Sequence, residues 1–558
     1  MKRSSLTLAT ALLAASFLSA PAVAGQTSPR LILKNGRVYG YKKATTVVVR
    51  DGVIEAVGDK FTLPSALERG DIVVDAKGGV IAPGFHDSHI HMQGGGLSLV
   101  RAQLADAKDL KETQAAVKKY ATEHPDRPWV LGRGWSYSIV PTGQMPTAAM
   151  LDAVVSDRPV FLRAYDGHTG WANTKALQAA GINKDTKDPP DGEIVRDKKG
   201  NPTGALKEGA QDLMEPAVPK STREEKKAAL IAAANLCASL GLTAVDDIVY
   251  ETDAFELWTE IEAEGKLPLR VKISPPLDVG PAELDTYEMW REKLKGDRLV
   301  SFGFLKGFLD GIVESKTAFM TQPFHGTKDE IGRPLIAPDH LFALVDAAHA
   351  RGFQVALHSI GDGAVRLALD AYEAAAKKHP DIGVRHRIEH IEVLDPKDAP
   401  RFKALDVVAS MQPFHANPFG DEPEKGPWAE NLGPERWGMT MPWRSVLTAG
   451  GALTFGSDWP VYTANPLHGL AVALTRRDEN GKPRAGWTVH QIVTLDEAMR
   501  AYAVERGDLD GPAADIGLVK PGQKADLVVL DPSVTLDDAP SLWKGTVAFT
   551  VVDGAVQR

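Results

Sequence analysis

An α/β fold is what this sequence predicts: a (β/α)8 TIM-type barrel carrying a small β-sandwich built from both chain termini. Three observations lead there. Short apolar runs alternate with long helical patterns through the middle of the chain. Hairpin-like runs with glycine turns occupy both ends. Single polar residues close many of the central runs, which is where barrels of this kind place their chemistry.

The elements follow in order. Lys2 and Arg3 precede a mostly apolar run from Leu6 to Leu18, and Ala22-Val23-Ala24 supplies small residues at −3 and −1. This is the pattern of a signal peptide, residues 1–24, cleaved before Gly25. The run is shorter than the ~20 residues a membrane-spanning helix needs, so an uncleaved anchor is the lesser reading. The expected product is exported, periplasmic or secreted, with no stable membrane span after cleavage.

From Leu31 to Val74, β runs are separated by Asn35-Gly36 and Asp51-Gly52, both hairpin signals. Ala525–Leu530 and Thr550–Gly554 repeat that style. Neither end has enough strands to enclose a core, so residues 25–83 and 513–558 are expected to form one β-sandwich together. Between them lies the expected barrel, 84–512. Its β runs are Gly79–Pro83, Val160–Leu162, Thr243–Val245, Ser301–Leu305, Gln354–Leu357, Arg385–Ile388, Val407–Met411 and Ala452–Phe455. Helical stretches such as Arg223–Leu240 and Gly363–His379 separate them, as parallel strands require. An open doubly wound sheet is the alternative. Residues 92–158 and 184–221 read as insertions roofing the mouth.

Composition excludes several classes. The chain is 43% hydrophobic and 25% charged, which rules out disordered, collagen-like and coiled-coil proteins. Lys plus Arg is 64 against 73 for Asp plus Glu, and no basic stripe offers a nucleic-acid partner. Cys237 is the sole cysteine, so an internal disulfide and a cysteine zinc site are both impossible. A metal would have to be held by histidine, carboxylate or modified lysine.

The sharpest signal is Gly84-Phe85-His86-Asp87-Ser88-His89-Ile90-His91. Two-residue periodicity after a first strand puts His89 and His91 on one side, where both can reach a single cation. His86 taken alone reads as a satisfied polar residue. Lys306, His358, His390 and Asp458 each end a further run. Five strands closing on ligand-capable residues make a site more credible than any one of them does.

These residues sit in segments that resemble a known family. APGFHDSHIH, LGRGWS, FLRAYDGHTGWAN, PTGALKEGA, FLKGFLDG, ALHSIGDGA, HRIEHIEVL, SMQPFHA, FGSDWPV and PGQKADLVVLD run through nearly the whole chain. They look like the amidohydrolase superfamily, in its N-substituted formamide deformylase-like branch. The resemblance implies a barrel with a two-terminus sandwich. It also implies His89, His91, His358, His390 and Asp458 as metal ligands. Lys306 falls where relatives carry a lysine that takes up CO₂ as a metal-bridging carbamate. After Asp310-Gly311 the chain reads Ile312-Val313-Glu314-Ser315-Lys316, where many relatives have Ser-Leu-Gly-Ser-Arg. That departure weakens transfer of substrate from any single relative.

Hydrolysis of an amide needs an activated water, a polarised carbonyl and a proton for the leaving amine. A divalent metal, with Zn²⁺ the best match, supplies the first two. An unmodified Lys306 ammonium would repel cations, so the site holds two metals with a carbamate or one without it. Asp458 is the expected general base and acid, and His168, after Val160–Leu162, the expected oxyanion donor. His168 reads equally as a loop residue packed on Trp171. Trp135, Trp171, Phe308, Phe414 and Trp459 would suit an apolar substrate arm or the barrel core. The expected activity is hydrolysis of small non-peptide amides, N-substituted formamides or N-acyl amines among them. Lactone or ester hydrolysis on the same site is the rival within enzymes, and a silent periplasmic binding protein the rival outside them.

Overall fold

The structure, a computed structural model, describes residues 28–59, 67–141, 144–165, 167, 169–189, 192–296, 298–416, 423–503 and 519–557. The expected signal peptide lies outside them. Among the described residues, no helix is long and apolar enough to cross a membrane.

Six strands open the described chain: β1 (Arg30–Lys34), β2 (Arg37–Val38), β3 (Thr46–Arg50), β4 (Val53–Gly58), β5 (Ile72–Asp75) and β6 (Val80–Pro83). Asp51-Gly52 makes the β3–β4 turn with φ of 50° and 73°, the left-handed pair that a tight hairpin requires. One sheet has the order β4-β3-β1-β5.

Next comes β7 (Phe85–Ile90), buried throughout, which carries the HDSHI segment. A single insertion follows it: β8 (Ala102–Gln103), β9 (Val130–Trp135), β10 (Val160–Ala164), β11 (Thr169–Ala172), β12 (Gly192–Arg196) and β13 (Pro202–Glu208). These form one sheet in the order β12-β13-β11-β10-β9-β8. The parallel series then resumes with β14 (Leu242–Ile248), β15 (Arg270–Ser274), β16 (Val300–Phe302), β17 (Leu305–Phe308), β18 (Val355–Ser359), β19 (Arg387–His390), β20 (Val408–Met411) and β21 (Ala452–Phe455). It is arranged as β16-β15-β14-β7 and β17-β18-β19-β20-β21.

Backbone hydrogen bonds join these two parallel sheets at both seams. Lys306 N donates to Pro275 O at 2.8 Å, and Leu277 N to Lys306 O at 2.8 Å. At the other seam Asp458 N donates to His89 O at 2.7 Å, and His91 N to Trp459 O at 2.9 Å. Gly456 permits that second contact, because a Cβ there would stand 2.6 Å from His89 N. Helices cover the strands. The helix Arg223–Ser239 starts on a Thr222/Glu225 capping box and presses on the helix Met92–Leu99. A Cβ on Gly96 would meet Ala229 O at 2.0 Å, so that crossing needs glycine.

The chain ends in β22 (Leu527–Leu530), β23 (Val547–Val552) and β24 (Ala555–Val556), which form the sheet β2-β6-β22-β23-β24. Strands from both termini therefore share a sheet. Leu31, Leu33, Val47 and Val49 of the first sheet and Ile81, Leu527, Val529 and Val551 of this one belong to one buried apolar cluster.

Two expected barrel runs join other sheets. Gly79–Pro83 contributes β6 to the terminal sheet, and the parallel series starts one strand later, at β7. Val160–Leu162 lies in β10 of the insertion, while Arg270–Ser274 supplies the parallel strand β15. A run of three to five apolar residues does not encode which sheet it joins. The two expected insertions are parts of one: the six-stranded sheet reaches from Ala102 to Glu208.

Candidate active site

The site gathers at the ends of the parallel strands. His89 is the fifth residue of β7 and His91 lies one past its end, so the pleat turns both imidazoles to one side. Lys306 lies in β17, His358 in β18 and His390 at the end of β19, while Asp458 follows β21 by three residues. All six line one cavity of about 1120 Å³.

Asp458 is the hub. Its Oδ1 lies 3.2 Å from His91 Nε2 and 3.5 Å from His89 Nε2, and its Oδ2 lies 3.7 Å from His415 Nε2. Two sets of three ligand atoms result, His89–His91–Asp458 and His390–His415–Asp458, each within 4.8 Å of one another. His358 belongs to neither set. Its ring lies 4.5 Å from that of His390, and its Nε2 is 3.3 Å from Gly311 O. His390 and Asp458 have φ of 73° and 57°, a left-handed conformation that costs side-chain-bearing residues of order 1–3 kcal/mol. The seam hydrogen bond from Asp458 N helps to hold that shape.

Each imidazole is oriented by a partner behind it. His89 Nδ1 lies 2.5 Å from Glu389 Oε2, His91 Nδ1 is 3.2 Å from Ile248 O, and His390 Nδ1 is 2.8 Å from Gln412 Oε1. Such partners fix the tautomer and direct the opposite nitrogen forward. Glu389 is itself held by fully buried Arg387, whose Nε donates to Glu389 Oε1 at 2.5 Å. Arg387 also donates to Asp246 Oδ2 at 3.0 Å, and Asp246 Oδ1 meets His86 Nε2 at 2.9 Å. His86 is thus an interior residue bonded to Asp246 through Nε2 and belongs to neither ligand set.

Electrostatics favour ligation. Burial pushes His89 down to about 4 and His358 to about 3, so both imidazoles stay neutral. Burial opposes ionisation of Asp458, but the facing imidazoles outweigh it and hold the carboxyl well below its ordinary range. Burial likewise works against the Glu389 carboxylate, yet Arg387 and His89 bring it to about 2. Lys306 is pulled down to about 8 by burial, and its Nζ lies 3.8 Å over the Phe308 ring. His89 Nε2, Lys306 Nζ and His415 Nε2 are buried without a hydrogen-bond partner among the described residues. Neutral imidazoles around a carboxylate, with ring nitrogens left unsatisfied, fit a divalent metal.

Sequence reasoning passed over His415. It sits in the short 3-10 turn Pro413–Ala416 after β20, within the SMQPFHA segment, and its Nδ1 lies 3.5 Å from Glu392 Oε1. No apolar run ends on it, so strand-end logic does not reach it. His168 lies outside the described residues. Of the five aromatic candidates, Phe308 lines the cavity, whereas Trp135 and Trp171 are buried in the inserted sheet. Phe414 packs near Trp543, and Trp459 packs against Gly95. Tyr250, stacked on His91 at 5.4 Å, is a cavity aromatic that the sequence did not flag.

The chain is 30% identical to the Arabidopsis thaliana protein LONG AFTER FAR-RED 3 over 543 residues, covering 94% of this chain and 91% of that one. It is 28% identical to an N-substituted formamide deformylase of Arthrobacter pascens over 535 residues, covering 92% and 95%. A crystal structure of an uncharacterized metal-dependent hydrolase from Pyrococcus horikoshii OT3 superposes with a TM-score of 0.72 at 26% identity, covering 91% of this chain and 99% of that one. The amidohydrolase family model matches residues 72–557, and with it the chain is placed: it belongs to the amidohydrolase family and is a metal-dependent hydrolase.

Proposed function

We propose that the chain hydrolyses the C–N bond of small non-peptide amides, N-substituted formamides or N-acyl amines among them. One observation carries this reading. Asp458 lies between two histidine pairs, in a cavity large enough for a small-molecule amide, with two of the facing imidazole nitrogens unsatisfied. Zn²⁺ is the metal that best suits imidazole and carboxylate donors. His89, His91, His358, His390 and Asp458 would hold it, with His415 as a further donor. When bound, the metal supplies Lewis acidity that polarises the carbonyl and activates water.

The chain's own residues supply the rest. Asp458 takes a proton at a carboxylate oxygen and returns it to the leaving nitrogen. Glu389 and Gln412 keep His89 and His390 in the tautomers that leave Nε2 free to ligate. Lys306, its ammonium weakened by burial, would take up CO₂, lose a proton and become an anionic oxygen donor, which a second metal would require. His168 remains the proposed oxyanion donor.

The same reading treats the two seamed parallel sheets as one (β/α)8 barrel, residues 84–512, with Val300–Phe302 and Leu305–Phe308 counted as one interrupted strand. It treats the terminal sheets, in 25–83 and 513–558, as a β-sandwich. The support is the pair of hydrogen-bonded seams and the shared apolar cluster. Residues 1–24 are proposed as a signal peptide that exports the protein. No observation favours lactone hydrolysis or catalytic silence over this assignment. Metal analysis of purified protein beside a panel of amides, carbamates and lactones is the test. Bound metal with amide turnover, both lost in a His89→Ala/His91→Ala double variant, is expected; full activity in that variant would sink the assignment.

A further inference from the structure

The inserted sheet places two cations side by side over the site. Arg133 of β9 and Arg163 of β10 are register partners on adjacent parallel strands, so their side chains leave the same face about 4.8 Å apart at the backbone. Both line the cavity that holds His89, His91 and Asp458. Like charges placed directly opposite one another across strands are destabilising. Arg101, just before β8, adds a third positive charge that acts on Arg163.

The two arginines differ in what holds them. Arg133 is tied back, donating to Tyr165 O from Nη2 at 2.9 Å. Arg163 is exposed to the cavity, and its guanidinium makes no hydrogen bond or ion pair with a described residue. Acidic groups line the same cavity: Glu330 faces Lys316 at 3.5 Å, Glu251 is bonded to Lys226, Asp310 accepts from the Phe319, Ile360 and Gly361 N–H groups, and Asp329 stands next to Glu330 in the chain. Glu208, on β13, is separated from β10 by β11. Tyr250 spans the interval to the chemistry: its ring stacks on His91, and its phenol feels Asp458 as well as Arg133 and Arg163.

We infer that Arg163, with Arg133 beside it, is an anion subsite, and that the amide cleaved here carries a carboxylate. A guanidinium suits that group because its planar fork donates two parallel hydrogen bonds to the two oxygens. This inference rests on the amide-hydrolase reading of the metal centre and narrows its substrate class to acidic amides.

The experiment uses matched substrates and the metal-loaded enzyme. N-formyl-leucine is compared with N-(3-methylbutyl)formamide, the same molecule without its carboxylate. N-butylsuccinamate is compared with N-butylbutyramide, which moves the carboxylate to the acyl side. Wild type should prefer the acid of at least one pair by about 10- to 100-fold in kcat/KM, the worth of a charge-assisted contact. In Arg163→Ala that ratio should collapse at least tenfold, mainly through KM, and Arg163→Lys should keep part of it. The preference should also shrink as salt rises, because the subsite opens to solvent. An unchanged acid-to-neutral ratio in Arg163→Ala overturns the subsite and leaves the hydrolase reading standing. If no amide is cleaved, the amide reading falls, and calorimetry with N-formyl-leucine and N-butylsuccinamate decides the subsite. A tenfold affinity loss in Arg163→Ala for either acid then supports it, whereas equal affinity, or no binding by wild type, refutes it.

Discussion

Asp458 shows how much one residue's surroundings decide. A solvent-exposed aspartate would be an indifferent ligand with nothing to orient its two oxygens. Here its two oxygens face different imidazoles, and its backbone takes the left-handed conformation needed to set them there. Asn keeps the shape and one ligating oxygen but cannot carry the proton. Asp458→Asn should therefore retain most of the metal while losing about 10²–10⁴ in kcat. Metal content and turnover have to be measured on one sample, since an amide oxygen binds metal more weakly than a carboxylate. Turnover within a few-fold of wild type in a fully metallated variant would mean that another group moves the proton.

At the scale of the element, the seam between β21 and β7 joins fold to site. Gly456 lets the chain after β21 pass against His89, and Asp458 N and His91 N each donate across the gap. In Gly456→Ala the new methyl would press on His89 N and Cβ, which cannot swing away as a flexible side chain could. We expect a loss of about 1–3 kcal/mol, the usual cost of overpacking, together with weaker metal retention. Thermal melting and chelator competition would read both, and an unshifted Tm with intact metal binding would show the seam to be pliable. This seam also bears on what the sequence discloses. The HDSHIH, ALHS, RIEH and GSD segments were legible because each couples an apolar run to a ligand-capable end. β15 was not, because Arg270 and Lys272 interrupt its apolar pattern; Arg270 is committed instead to Asp526 near the C-terminus, a contact across 256 positions. The insertion was misread for the opposite reason, since Val160-Phe161-Leu162 looks like any buried strand. His415 and Tyr250 stayed hidden because loops brought them in, and loop placement leaves no periodic trace.

Across the whole molecule, the candidate ligands come from β7, β17, β18, β19 and the segments after β7, β20 and β21, between 89 and 458 in the sequence. A metal at their meeting point would tie the two parallel sheets together, because His89 and His91 stand on the β7 side of the seam and Asp458 on the other. It binds the folded chain far better than the unfolded one, which cannot present the set. Stabilisation by such a ligand follows RT ln(1 + [L]/Kd), about 4 kcal/mol at a thousandfold excess over Kd. In a chain of 558 residues the entropy of unfolding is large, so that energy becomes a Tm shift of only a few degrees. Chelator-stripped protein should melt lower by that margin, and Zn²⁺ added back should restore the difference in wild type. In the His89→Ala/His91→Ala variant the shift should shrink sharply, because the pair that shares Asp458 Oδ1 is gone. If stripped and reloaded wild type melt together while metal analysis shows the metal gone and then regained, the metal lies elsewhere, at a place that ties no part of the fold to another.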